Sequence, residues 1–136
     1  MTGHMLVAFG FAWMVVAALI GLFLGAKHEN HNEALASAAA CGNFVEYHRI
    51  FEAYKWRSSV HGHSMLFSLS AVGVGVVLSS PLGSAIPRAD LVAAVMMFAT
   101  VLWTLAAARR LRPLMGLADL LFLGVMASCA AGIATC

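Results

Sequence analysis

Charged residues are scarce in this chain: only 10% of its 136 residues are Asp, Glu, Lys or Arg, and 62% are hydrophobic. Soluble domains carry a charge on about a quarter of their residues. So few charges cannot cover a folded core with polar side chains, and the sequence therefore predicts an integral membrane protein in contact with the lipid bilayer. The net charge is +2, and the sequence contains no basic patch of the kind that nucleic acid requires. Nucleic acid is therefore not expected as a partner.

Cysteines and common catalytic motifs are also few. The three cysteines, Cys41, Cys129 and Cys136, form no CxxC pair, which argues against a disulfide framework. An intermolecular bridge through Cys136 is left open. The chain contains no phosphate-binding loop, dinucleotide fingerprint or recognisable Ser-His-Asp set, so the corresponding enzyme classes are not predicted.

Four long uncharged runs are present instead, each near the ~20 residues with which a helix crosses a bilayer core of ~30 Å. They predict an all-α fold, an integral membrane four-helix bundle that forms a single domain over residues 1–136. The expected spans are about 5–26, 62–81, 90–108 and 114–134. The first run lacks a positive n-region and is too long for a signal peptide, so we expect it to be retained as a helix.

The basic residues are distributed unequally between the connections. Seven of the eight lie between helices 1 and 2 or between helices 3 and 4, and only Arg88 lies on the other side. By the positive-inside rule, both of these connections are cytoplasmic and both termini point outward. The seven are Lys27, Arg49, Lys55, Arg57, Arg109, Arg110 and Arg112.

A polar segment, residues 27–60, joins the first two predicted membrane helices. Its stretch NEALASAAA is rich in helix formers and is expected to continue helix 1 beyond the bilayer, with a stop at Gly42 and Asn43. Aromatic residues then recur at spacings of three and four, which predicts a short amphipathic cytoplasmic helix at the membrane interface. These residues are Phe44, Tyr47, Phe51 and Tyr54.

Small residues four apart, which allow close approach of membrane helices, occur in helix 1 as Gly21 and Gly25 and in helix 2 as Ala71 and Gly75. We expect them to pack the helices within one bundle, and the alternative is a contact between subunits of an oligomer.

Two histidines, His61 and His63, open the second membrane helix in the stretch HGHSM. Residues two apart on a helix point about 200° away from each other, so the pair cannot chelate one metal from a single face. One of them is a candidate metal or haem ligand, and the alternative is that both are polar residues at the membrane boundary.

Other polar residues are weaker candidates. His28 and His31 share a helical face beside Glu29 and Glu33, a donor set that suits Zn, Fe or Ni, but the string matches no metal motif and reads as a solvated loop. His48 and Glu52 are four apart and are expected to be able to pair.

An acid inside an apolar span is a functional candidate, and Asp119 in helix 4 is one, unless it reaches water or Arg112. His4 opens helix 1 from the opposite membrane side and cannot share a haem with His61 in one subunit.

Several separated motifs resemble styrene oxide isomerase, a small four-helix membrane protein family of bacterial styrene degradation. Helix 1 begins with Gly3 and His4, and helix 4 opens with a G-x-x-D motif at Gly116 and Asp119. Between them lie a Glu-aromatic-His motif, a tryptophan ten residues after its glutamate, and a histidine that opens helix 2. These are Glu46, Tyr47, His48, Trp56 and His61.

The resemblance implies a trimer in the bacterial cell membrane, with haem b at each subunit boundary and His61 as its axial ligand. It places His48 and Trp56 among the candidate cofactor-binding residues, and Asp119 as a candidate catalytic residue. His63 has no counterpart in the family, and it is a further candidate catalytic residue as a proton donor beside the proposed ligand. Ferric iron would act as a Lewis acid on a small hydrophobic epoxide and convert it to a carbonyl compound without redox change. Helix 3 lacks the tyrosine with which the family orients its substrate.

Two other functions are left open. One is a membrane b-type cytochrome for electron transfer or gas sensing, in which His63 or His48 of a neighbouring subunit supplies a second axial ligand. The other is a membrane subunit that binds a non-haem metal through its His/Glu loop.

Overall fold

The structure is a computed structural model that describes residues 2–134, so the bridge considered for Cys136 lies outside the described residues. These residues form five α-helices and one short 3-10 helix, with no strand among them. The helices are α1 (Thr2–Ala26), α2 (His28–Ala40), α3 (Phe44–Ser79), a 3-10 helix (Pro81–Ala85), α4 (Ala89–Ala108) and α5 (Arg112–Ala134). Four of them, α1, α3, α4 and α5, are long and apolar enough to cross a membrane. The predicted all-α membrane bundle is confirmed.

Helix α3 is longer than predicted, because the amphipathic segment and the second membrane helix are one continuous helix of 36 residues. Its length is about 54 Å, well beyond a bilayer core of ~30 Å. Gly62 is the only glycine at the expected junction, and a lone glycine costs only ~1 kcal/mol. The aromatic residues from Phe44 onward therefore belong to the same helix as the second membrane span, and Phe44 lies about 25 Å from His61 along its axis.

Helix α2 does not continue α1 as predicted. The chain turns at Lys27, and α2 packs back on α3, where the Nδ1 atom of His28 lies 3.0 Å from the Tyr54 hydroxyl. The ring of His31 stacks on Tyr54 at a centroid distance of 4.1 Å. These contacts draw α2 onto α3. The predicted stop is correct, since Gly42 adopts a left-handed φ of 65°.

The packing of α1 on α3 uses buried residues seven apart, three of which are small. Gly3, Gly10, Ala17 and Leu24 are all buried. A Cβ atom at Gly3 would lie 2.6 Å from the carbonyl oxygen of Gly75, so the two backbones are nearly in contact. The predicted pair Ala71 and Gly75 is buried here. Gly25, by contrast, has open space around it and takes no part in this packing.

Both ends of the described chain lie at the same end of the bundle. The Thr2 hydroxyl donates to the Asp90 carboxylate at the start of α4, and Gly132 near the end of α5 packs on Ile86. The seven clustered basic residues belong to α2, the first half of α3 and the α4–α5 connection, or flank them. They lie at the opposite end of the bundle.

Candidate functional site

His61 lies on α3 and faces α1. Its Nδ1 atom is 2.8 Å from the carbonyl oxygen of Ala17. Because a carbonyl oxygen can only accept, Nδ1 carries the proton and donates a hydrogen bond to this oxygen. The half-buried ring rests on Gly21, where a Cβ atom would lie 2.6 Å from the ring carbon Cε1. Glycine at position 21 therefore makes room for this imidazole.

The other ring nitrogen of His61, Nε2, is left with a lone pair in the neutral imidazole. It has no hydrogen-bond partner within residues 2–134. Of the side-chain nitrogen and oxygen atoms in that range that are both buried and unpartnered, only Nε1 of Trp103 is found. The Nε2 atom of His61 is therefore not fully buried within the chain.

His63 points to a different neighbour. Its ring stacks on Trp103 of α4, with centroids 4.6 Å apart and an interplanar angle of 6°. Its Nδ1 atom lies 3.0 Å from the carbonyl oxygen of Ser59. His61 contacts α1 and His63 contacts α4, which confirms the prediction that the two imidazoles lie on different faces. The two cannot bind one metal ion within one chain.

Trp103 is a residue that the sequence reasoning missed. It is 2% exposed, and its indole Nε1–H finds no acceptor among the described residues. Buried donors without a partner are rare in proteins. A tryptophan in an apolar run gives no signal of this kind, because the missing acceptor is visible only once the neighbouring helices are in place.

A small polar layer lies beside Trp103 between α1, α3 and α4. The hydroxyls of Ser64 and Thr104 are 3.2 Å apart, and the indole Nε1–H of Trp13 donates to Thr104 across 3.3 Å. The Ser68 hydroxyl donates to the carbonyl oxygen of Ser64. These groups satisfy one another, so the layer holds the three helices in register rather than offering free donors.

Trp56 and His48 lie on the same helix as His61 but are not brought to it. The Trp56 Nε1–H donates to the carbonyl oxygen of Ala107 across 3.2 Å and so links α3 to the C-terminal end of α4. His48 is exposed, 13 residues from His61 and about 20 Å away along the axis. Its expected partner Glu52 forms an ion pair with Lys55 instead, at 3.7 Å.

Asp119 is exposed on α5 and makes no hydrogen bond or ion pair with any residue in the described range. The contact with Arg112 that was considered for it does not form. The structure does not bring Asp119 to His61. His4 is also exposed, about 20 Å along α1 from the Ala17 carbonyl that holds His61.

The His28 and His31 group is part of α2 rather than a loop. Both ring nitrogens of His28 are engaged, Nδ1 with Tyr54 and Nε2 with Asn32 at 3.1 Å. Within residues 2–134, no group of three or more His, Cys, Asp or Glu side chains could hold a metal ion. A polar contact between α2 and α3 is what these residues provide.

No protein-family model, curated protein or solved structure matches this chain. The likeness to styrene oxide isomerase stays a prediction from short motifs, and the candidate function depends on the geometry around His61.

Proposed function

We propose that this chain is an integral membrane haem-b protein with His61 as the axial ligand, and that it acts as a redox-neutral isomerase on a small hydrophobic epoxide. The proposal rests on the tautomer of His61, which is fixed by its hydrogen bond to the backbone. Histidines that bind metals almost always donate their other ring N–H to a carbonyl or a carboxylate, which fixes the tautomer. The bond from Nδ1 to Ala17 is of this kind, and Nε2 is left free.

The position of Nε2 also bears on the oligomeric state. Because this atom is not fully buried within its own chain, we propose that a second chain covers a cofactor bound to it. This supports the proposed trimer with a haem at each subunit boundary. Such a boundary would lie among apolar helices, which would admit an apolar substrate and exclude water.

Bound haem would supply a Lewis acid to polarise the epoxide oxygen. This chain's own part is to hold the cofactor through His61 and to keep its surroundings apolar. His63 and Asp119 are both exposed and both away from His61 in the same chain. A contribution by either of them to the site would come from a neighbouring subunit.

A b-type cytochrome is the second candidate, and the position of His63 favours it. His63 is two residues from His61, about 3 Å along the axis. Rotation about an axis normal to the membrane preserves depth, so a neighbouring copy's His63 would lie level with His61 and could be a second axial ligand. His48, about 20 Å away along the axis, would not.

The visible spectrum of the purified protein tests the proposal. We expect a Soret band in the wild type and in His63→Ala, and its loss in His61→Ala. The two variants remove the same side chain from the same helix, so they control for each other. Haem retained by His61→Ala, or a wild type that lacks a Soret band and instead contains stoichiometric Zn or Cu, would refute the assignment.

The spectrum also separates the two haem functions. A five-coordinate ferric iron that binds added cyanide, together with conversion of an aryl epoxide to its aldehyde, supports the isomerase. A six-coordinate low-spin iron that binds no added ligand, and is converted to five-coordinate by His63→Ala, supports the cytochrome.

A further inference from the structure

A groove with one basic and one apolar part lies at the end of the bundle away from the termini. Its volume is about 380 Å³, and it runs between α1, α3 and the end of α4. Its apolar wall includes Ile20, Leu24 and Val60, and its basic edge is formed by Arg57 and Arg110, with Trp56 between the two. We call this the basic groove.

The two arginines of the basic groove have no compensating acid. Arg49 nearby is paired with Glu46, with Nε 2.8 Å from the carboxylate, and Lys55 is paired with Glu52. Within residues 2–134 neither Arg57 nor Arg110 forms an ion pair, and no acidic side chain lines the groove. The groove therefore presents two unpaired guanidinium groups at the edge of an apolar wall.

Arg110 is held in its place by the backbone. Its φ of 58° lies in the left-handed region that non-glycine residues rarely adopt. The turn is closed by Leu111, whose N–H donates to the carbonyl oxygen of Ala106 across 2.8 Å. The guanidinium carbon of Arg110 lies 5.8 Å from the centroid of the Trp56 ring, a cation–π distance, and Trp56 is itself bonded to α4.

Two unpaired arginines beside an apolar wall indicate the chemical class of the ligand. Arginine is suited to phosphate recognition, and basic pockets between membrane helices bind anionic lipid headgroups. A free phosphate ion would gain nothing from Ile20, Leu24 and Val60, whereas an acyl chain would cover them. We propose that the basic groove binds an anionic phospholipid, with its phosphate at Arg57 and Arg110 and its acyl chain along the apolar wall. This proposal does not depend on haem binding.

Binding of phosphatidylglycerol to the detergent-purified full chain, measured by native mass spectrometry, tests the proposal. Phosphatidylcholine with the same acyl chains serves as the zwitterionic comparison, and we expect it to bind more weakly. The double variant Arg57→Gln/Arg110→Gln should weaken phosphatidylglycerol binding about 25-fold, since each cation near a lipid surface is worth about fivefold. The control Arg88→Gln/Arg109→Gln removes the same charge outside the groove and should leave binding unchanged.

Four results would overturn the assignment. They are equal binding of the two lipids by the wild type, equal losses in the two double variants, full competition by inorganic phosphate, and loss of haem rather than lipid from Arg57→Gln/Arg110→Gln. If that double variant does not fold, Arg57→Gln alone is tested, because Arg57 is exposed and is not part of the α4–α5 turn. We expect about a fivefold loss from it, and an unchanged affinity would count against the groove.

Discussion

Gly21 shows how the absence of a side chain makes room for the candidate ligand residue, His61. The imidazole of His61 fills the space in which any other residue would place its Cβ atom. Gly25, one turn further along α1, has no neighbour within 4 Å of the same position. The two glycines, equivalent by their sequence spacing, therefore have different tasks.

The pair provides a matched test of the His61 geometry. Gly21→Ala should displace the ring from the Ala17 carbonyl and lower the haem content of the purified protein, as measured by the ratio of Soret to protein absorbance. Gly25→Ala adds the same methyl group and should leave this ratio unchanged. Equal ratios in both variants would show that the position of the ring over Gly21 does not matter for the cofactor.

Trp103 is the other residue whose role is decided by its surroundings. Its indole N–H is buried without an acceptor, and its ring carries the stacked imidazole of His63. An unsatisfied buried donor costs ~1–3 kcal/mol, and a membrane interior offers no water to relieve it. Because Trp103 is 2% exposed, this N–H can reach an acceptor outside the chain only if the surrounding helices move.

At the scale of elements, the α1–α3 pair is held by close backbone contact. A Cβ atom at Gly75 would lie 2.8 Å from the carbonyl oxygen of Gly3 and the same distance from the amide nitrogen of Val7. Backbone atoms cannot rotate aside as a side-chain tip can. The contact therefore leaves no room for even one methyl group.

Gly75→Ala should accordingly lower the free energy of unfolding by about 1–3 kcal/mol, the usual cost of overpacking. Gly73, on the same helix but with open space at its Cβ position, provides the control, and Gly73→Ala should not destabilise the protein. Unfolding by a denaturing detergent, followed by circular dichroism, compares the two. A Gly75→Ala variant as stable as Gly73→Ala would mean that α1 and α3 are not packed this closely.

At the scale of the whole molecule, four membrane-spanning helices return the chain to the side on which it began. The structure agrees, since Thr2 and Gly132 lie at the same end as the 3-10 helix. The basic residues gather at the other end. Under the positive-inside rule we propose that this basic end is cytoplasmic and that both termini are outside.

Labelling with a membrane-impermeant maleimide tests this orientation. Cys41 is exposed at the end of α2, and Ser84 is exposed in the 3-10 helix at the opposite end. With Cys129 and Cys136 changed to serine, Cys41 should react only in inverted vesicles. A Ser84→Cys variant that also carries Cys41→Ser should react in intact spheroplasts. Reaction of Cys41 in spheroplasts would reverse the proposed topology.

The sequence by itself determined the four apolar helices, the helix stop at Gly42 and the opposite directions of His61 and His63. These properties depend on hydropathy, on local backbone preference and on helical repeat, which neighbouring residues set among themselves. Only the tertiary structure decided that α3 is continuous, that Nδ1 of His61 bonds to Ala17, that Trp103 lacks an acceptor and that Arg57 and Arg110 share a groove. Most of these facts join residues far apart in the chain, and apolar runs pack through shape, which residue type and spacing do not encode.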